Sequence, residues 1–194
     1  MTNSGEAFPF RGVIEELHRF LEDRGVVYAV IGGVAVARAG TFRTTGDIDI
    51  LVRREAWHHL EESKSGAFRI GPDWAVHRES EVPIDVLFAG DDSDLPFLLP
   101  DPETSREWDK SGGGWFMTPV RLLELKAGIY LSKLAEFGPA TAAKDLSDVT
   151  LLLSTREELR ASDGVEALHP SVQETVRRAI AEVEQFRRKR PKQE

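Results

Sequence analysis

The chain has 194 residues, a formal charge of −8, 41 % apolar and 30 % charged side chains, and no cysteine. This balance supports a buried core and excludes a largely disordered chain. It also excludes disulfide scaffolds, thiolate zinc sites and cysteine nucleophiles, so any metal must be held by oxygen or imidazole. The acidic total argues against a surface coated by nucleic acid, which needs a local excess of Lys and Arg. No apolar run approaches the ~20 residues of a membrane span. The opening MTNSGEAFPF lacks the charged and apolar regions of a signal peptide. The expectation is a cytoplasmic protein with no membrane contact.

In chain order, Phe10, Val13, Ile14, Leu17, Phe20 and Leu21 recur at helical spacing, which predicts a helix over 10–24 closed by Gly25. VVYAVI, residues 26–31, is β-branched and apolar and predicts a buried strand that stops at Gly32-Gly33. A short helix through VAVARA follows, then a strand at 47–52, DIDILV, and an amphipathic helix through EAWHHLEES. Weaker strand signals at 68–70 and 74–77 lead to PIDVLF, residues 83–88. From Ala89 to Gly114 the composition predicts a long acidic loop with at most one short element. After a WFM strand, Thr118 and Pro119 open a helix that ends near Gly138, because proline loses no hydrogen bond at a first helical position. Helices over about 140–153 and from Pro170 to about 188 complete the chain. The sum is a small mixed sheet with helices, followed by a helical C-terminal part.

Chemistry concentrates in the strands. Successive side chains of a strand face opposite ways, so Asp47 and Asp49 share one face while Ile48 and Ile50 pack on the other. Two carboxylates roughly 7 Å apart repel each other unless something positive lies between them. Magnesium suits that place, being hard, oxygen-seeking and prone to join carboxylates to substrate phosphates. Asp85, between Ile84 and Val86, repeats the pattern, and the acids converge if the two strands are neighbours. An Asp-x-Asp pair or a Gly-Gly pair alone most often marks a solvated strand end or a turn. Their order carries more information: exposed backbone N–H groups stand next to an acid pair, as phosphate recognition requires.

The run VIGGVAVARAGTFRTTGDIDILV, with PIDVLF downstream, resembles the signature of the nucleotidyltransferase superfamily: a glycine pair, an acid pair about a dozen residues on, and a third acid on a later strand. More narrowly, the Arg43-Thr44 lead-in, Lys126 in LLELKAG and the KDLSDV segment look like the AbiEii-type toxins of type IV toxin–antitoxin systems. The broader likeness covers roughly 26–88 and the narrower extends it to about 153.

That resemblance implies an α/β (α+β) fold, with a mixed-sheet core over 1–117 and a helical part over 118–194 packed on it. Gly32, Gly33, Arg43 and Thr44 would contact a nucleoside triphosphate. Asp47 and Asp49 would hold magnesium, two ions in all, and Asp85 would bind metal or deprotonate the attacking group. Lys126 matches a lysine expected near the phosphates, and Asp145 or Asp148 matches a later acid. Many members carry serine where this chain has Gly33. The implied reaction transfers a nucleoside monophosphate from the triphosphate to an acceptor, RNA (tRNA) or protein, with an antitoxin as a further partner.

Plainer readings stand beside these. Lys126 can form a salt bridge to Asp145 or Asp148 instead of meeting phosphate, and both acids can be helix N-terminal residues favoured by the helix dipole. Arg43 can be a surface arginine, and the basic run from Arg177 to Lys192 a solvated terminus. His58 and His59 point about 100° apart on a helix and cannot share a metal. Trp57, Trp74, Trp108 and Trp115 are suited to base stacking but more simply serve packing. A small-molecule nucleotidyltransferase, such as one acting on an aminoglycoside, is the second enzymatic reading, with the acidic stretch DPETSREWD as an attractor of cations. A catalytically silent nucleotide-binding or antitoxin-interacting module is the third.

Overall fold

The computed structural model describes residues 10–39, 44–61, 65–91 and 94–189. They form two compact units, the first built from residues up to 38, 42–91 and 99–118, the second from 39–41, 92–98 and 119 onward.

The first unit opens with α1 (Arg11–Glu22), whose Val13, Ile14, Leu17, Phe20 and Leu21 are buried, as the apolar stripe requires. Then come β1 (Tyr28–Ile31), α2 (Gly32–Arg38), β2 (Ile48–Val52), α3 (Arg54–Glu61), β3 (Phe68–Ile70), β4 (Trp74–His77), β5 (Pro83–Phe88), β6 (Arg106–Asp109) and β7 (Gly114–Met117). The strands make one mixed sheet in the order β3-β4-β5-β2-β1-β7-β6. β2 lies antiparallel to β1 and parallel to β5, and β1 lies parallel to β7. The central β1 is buried on both faces, and Ile48, Ile50 and Ile84 are fully buried. The strand that presents the Asp-x-Asp motif is therefore anchored through its isoleucine face.

One feature departs from expectation: the glycine pair begins α2 instead of preceding it. The 89–114 stretch holds a short element, as allowed for, in β6, which pairs with β7 through Trp108 opposite Trp115. REWD lacks an apolar period because β6 is an edge strand whose acids have local partners. Arg38 at the end of α2 bonds both Glu107 and Asp109. Upstream, Arg53 reaches Asp101 at 2.8 Å and Glu103 at 2.7 Å. The acidic stretch DPETSREWD is thus largely neutralised from within, which corrects its reading as an attractor of cationic substrates.

In the second unit, Gly138 separates α4 (Pro119–Phe137) from α5 (Pro139–Thr155), and a 3-10 turn (Glu157–Arg160) and α6 (Ser162–Glu166) lead to α7 (Pro170–Lys189). Leu122, Leu123 and Leu125 of α4, Val149, Leu152 and Leu153 of α5, and Val172, Val176 and Val183 of α7 are buried. Glu124 is buried among them; it accepts the backbone N–H of His169, just ahead of α7, and a hydrogen bond from Arg121 at 2.8 Å. Those bonds offset the cost of burying a carboxylate and satisfy a donor near the start of α7. Among the described residues, no helix is long and apolar enough to cross a membrane.

The arginine contacts make acid sensitivity predictable. The hydrogen bond from Arg53 lowers the Asp101 carboxyl below its ordinary range. At Asp109, burial pushes the carboxyl up, but hydrogen bonds from Ser111, the Gly112 N–H and Arg38 outweigh it and hold it at about 2. A folded value below the unfolded one means stabilisation that is complete above about pH 4 and lost as pH falls toward 2. Urea unfolding across that window should show a falling midpoint, and Asp109→Asn should flatten the fall.

Candidate active site

The acids come together because β2 and β5 are parallel neighbours in register. Asp49 stands directly opposite Asp85, and across β2 the partner of Asp49 is Ile31, the last residue of β1. On the other side, β4 places Trp74 opposite Asp85. Register partners project from the same face, so one row across the sheet reads Trp74, Asp85, Asp49, Ile31. Asp47 lies immediately before β2, two residues ahead of Asp49. Its Oδ1 accepts a hydrogen bond from Thr45 Oγ1 at 2.6 Å.

Gly32 follows Ile31 with φ 63°, in the left-handed region that disfavours side chains. A Cβ placed there would lie 1.8 Å from Asp49 Oδ2 and 2.5 Å from its carboxyl carbon. The glycine is required twice over, by its backbone conformation and by the carboxylate pressed against it. Its missing Cβ makes room for the Asp49 carboxylate. Gly33 is buried in the first turn of α2.

Electrostatically the row is negative. Burial pushes the Asp85 carboxyl above its ordinary range, and the charges of Asp47 and Asp73 push it further the same way. Like charges gathered around one carboxylate favour a cation between them. The donors are carboxylates without imidazole or thiolate, a hard oxygen set that fits magnesium. Among the described residues, no three His, Asp or Glu side chains form a ready-made ion cage. Magnesium commonly takes only one or two protein carboxylates and completes its shell with water and substrate phosphates, so the set fits an ion shared with a triphosphate.

The second unit holds a separate charged cluster. Lys126 of α4 is 5 % exposed, and Asp145 and Asp148 of α5 are 3 % and 2 % exposed. The Lys126 ammonium lies 3.0 Å from Asp148 and 3.6 Å from Asp145, whose other oxygen is 2.7 Å from Lys133. The salt bridge considered from sequence is therefore present, with Asp148 as the nearer partner of Lys126. The helix-dipole explanation of these acids fails, because α5 starts at Pro139 and has no acid in its first turn. Lys133 was not anticipated; its signal was its position seven residues, two helical turns, beyond Lys126 on α4.

Of the other expected contacts, Thr44 is exposed ahead of β2, and Arg43 lies outside the described residues. His58 and His59 are exposed on α3. Thr45 and Asp73 escaped the sequence reading. A hydroxyl two residues before an acid is a recognisable local hydrogen-bonding pattern, whereas Asp73 gains its significance only from the β4–β5 pairing.

A comparison with protein-family models gave no match, and a comparison with curated protein sequences gave none either. Solved structures do match. An antigenic nucleotidyltransferase-like protein from Paracoccidioides brasiliensis superposes with a TM-score of 0.54 at 17 % identity, covering 92 % of this chain and 88 % of its own. The crystal structure of ANT(2")-Ia in complex with adenylyl-2"-tobramycin superposes with a TM-score of 0.52 at 15 % identity, covering 91 % and 98 %. The fold is nucleotidyltransferase-like: a mixed sheet with helices and a helical C-terminal part.

The buried cluster gives a prediction about stability. Removing one partner of a buried ion pair leaves the other uncompensated and costs about 3–5 kcal/mol, while an exposed pair is worth about 1 kcal/mol or less. Lys126→Met should destabilise the protein markedly in chemical denaturation, and Lys133→Met, at a half-exposed lysine, much less.

Proposed function

We propose that this protein is a magnesium-dependent nucleotidyltransferase that moves a nucleoside monophosphate from a nucleoside triphosphate to an acceptor hydroxyl. The observation that carries the reading is the opposition of Asp49 and Asp85 on neighbouring parallel strands, with Asp49 packed against Gly32 at the start of α2. The fold shared with nucleotidyltransferase-like proteins supports it.

In this reading the triphosphate lies along the Gly32-Gly33 turn, where first-turn N–H groups lack partners inside the helix. Asp47 and Asp49 would hold the metal, with Thr45 fixing the Asp47 carboxylate. Bound magnesium would supply neutralisation of the charge that develops on the phosphoryl oxygens. Asp85 sits where it can share the metal or take the acceptor proton. Its raised carboxyl makes it a better proton acceptor than an ordinary aspartate. The acceptor oxygen bonds to the α-phosphorus as the bond to the β-phosphate bridge breaks. Pyrophosphate leaves with that electron pair, and the hydroxyl proton passes to the base. Lys126, paired with Asp148, keeps its place as the residue that matches the phosphate-contacting lysine of the resemblance.

A second reading of the acceptor, an RNA end with an antitoxin as regulator, is favoured by the basic last turn of α7, with Arg187, Arg188 and Lys189. Incubation with each labelled nucleoside triphosphate and magnesium, against total RNA, a protein extract and an amino sugar such as tobramycin, tests both. Asp47→Asn and Asp49→Asn should each abolish labelling of whichever fraction the wild type labels, a loss of at least about a hundredfold. Undiminished transfer by either variant would sink the proposal.

A further inference from the structure

At the end of β1 away from Gly32 lies a cavity of about 170 Å³, walled by His18 and Glu22 of α1, Val26 and Tyr28 at the entry to β1, Arg106 of β6 and Trp115 of β7. All of these residues belong to the first unit. Tyr28 begins β1 and Gly32 follows its last residue, so the strand separates the cavity from the acid row. No residue assigned to the nucleotide or the metal is among its walls.

Size restricts the occupant first. A cavity of about 150 Å³ holds one benzene ring, so this one admits a single ring with a small substituent and no nucleotide. The walls suit such a ring. Tyr28 is fully buried, and its hydroxyl accepts the Trp115 backbone N–H at 3.3 Å, which ties two of the walls together. Trp108 braces two more contacts, its ring packing on His18 at 4.8 Å and on Trp115 at 5.4 Å.

Charge restricts it next. The one acid of the cavity, Glu22, is engaged by His18 Nε2 at 2.9 Å. Arg106 has no carboxylate partner among the described residues. Its guanidinium lies over the Trp115 ring, 4.3 Å from the centroid, and its Nη1 donates to the Tyr28 carbonyl at 3.2 Å. Asp101, an acid whose charge interacts with it, is taken by Arg53 at 2.8 and 3.0 Å. These contacts fix the Arg106 cation without neutralising it, and they leave most of a guanidinium's donors over. A half-buried, preorganised guanidinium forms strong hydrogen bonds to a carboxylate, at little cost in ordering. His18 adds an independent mark. Its Nδ1 is buried with no hydrogen-bond partner among the described residues, a condition that native interiors seldom leave unanswered.

We propose that this cavity is a second binding site and takes a single-ring aromatic carboxylate, the ring against Tyr28 and Trp115 and the carboxylate on Arg106. The inference is independent of the nucleotidyl-transfer reading, since none of these residues serves in it.

The test uses the full chain with benzoate as the probe, benzamide as its uncharged counterpart and acetate as its ringless one. Calorimetry should show one benzoate bound per chain, with a change in tryptophan emission. Benzamide and acetate should each bind at least about tenfold more weakly, because each lacks one half of the recognition. Arg106→Gln should weaken benzoate binding about tenfold or more. Arg178→Gln, which removes an equal charge from the exposed face of α7, should change it less than about twofold. Asp47→Asn should bind benzoate as the wild type does. Circular dichroism confirms that each variant is folded. In amide NMR spectra of the wild type, benzoate should shift the signals of Gly25, Val26 and Val27 in the cavity wall and leave that of Gly33 in place, a readout that needs no variant. No binding of benzoate, equal affinity for benzamide or acetate, full affinity in folded Arg106→Gln, or amide shifts confined to the acid row overturns the proposal.

Discussion

The contact between the Asp49 carboxylate and the bare Cα of Gly32 is the constraint around which the candidate site is arranged. β1 must end there, because the left-handed turn at Gly32 breaks the strand and starts α2. β2 must run antiparallel beside β1 for Asp49 to reach the turn, and β5 must lie on the far side of β2 for Asp85 to stand opposite it. An ordinary residue at position 32 would have to displace Asp49, and with it the alignment of the acid row. Packing supplies the force that holds this arrangement: the isoleucines alternating with the acids are fully buried.

Charge is handled differently in the three acidic regions. Around β6 the acids are answered by Arg38 and Arg53, with Asp101 and Asp109 held low by hydrogen bonds. In the helical unit, Asp145 and Asp148 are answered by Lys126 and Lys133. At the sheet face, burial and then the charges of Asp47 and Asp73 drive the Asp85 carboxyl up. An acid cluster in which neighbouring charges raise one carboxyl is a place where a cation from outside would bring a gain.

Much of this was legible in the amino acids, for identifiable reasons. The helices α1 and α4 and the strands β1, β2 and β5 carry strong periods or long apolar runs, and they fall close to the expected positions. β6 could be allowed for but not placed, because REWD has no apolar period and its acids find a partner only once Arg38 is in position. The turn and short helix over 157–166 carry too few apolar residues for any period to emerge. In the site, the order of glycines and acids was readable, whereas Asp73 and Trp74 depend on strand pairing across a hairpin that local sequence does not encode. Lys126 was readable as a buried cation needing a partner, but only geometry chooses Asp148 as the nearer acid.

The ionic quartet of Lys126, Lys133, Asp145 and Asp148 carries a consequence for how this chain can evolve. Single exchanges at Lys126, Asp145 or Asp148 strand an opposite charge in the interior, whereas replacing the whole set with apolar side chains of similar volume is often neutral or stabilising. The fold alone therefore does not require the quartet, yet single steps away from it are steep. Lineages that have no need of Lys126 would be expected to lose the cluster as a block, and those that use its ammonium to keep it whole, so its members should be inherited together or not at all.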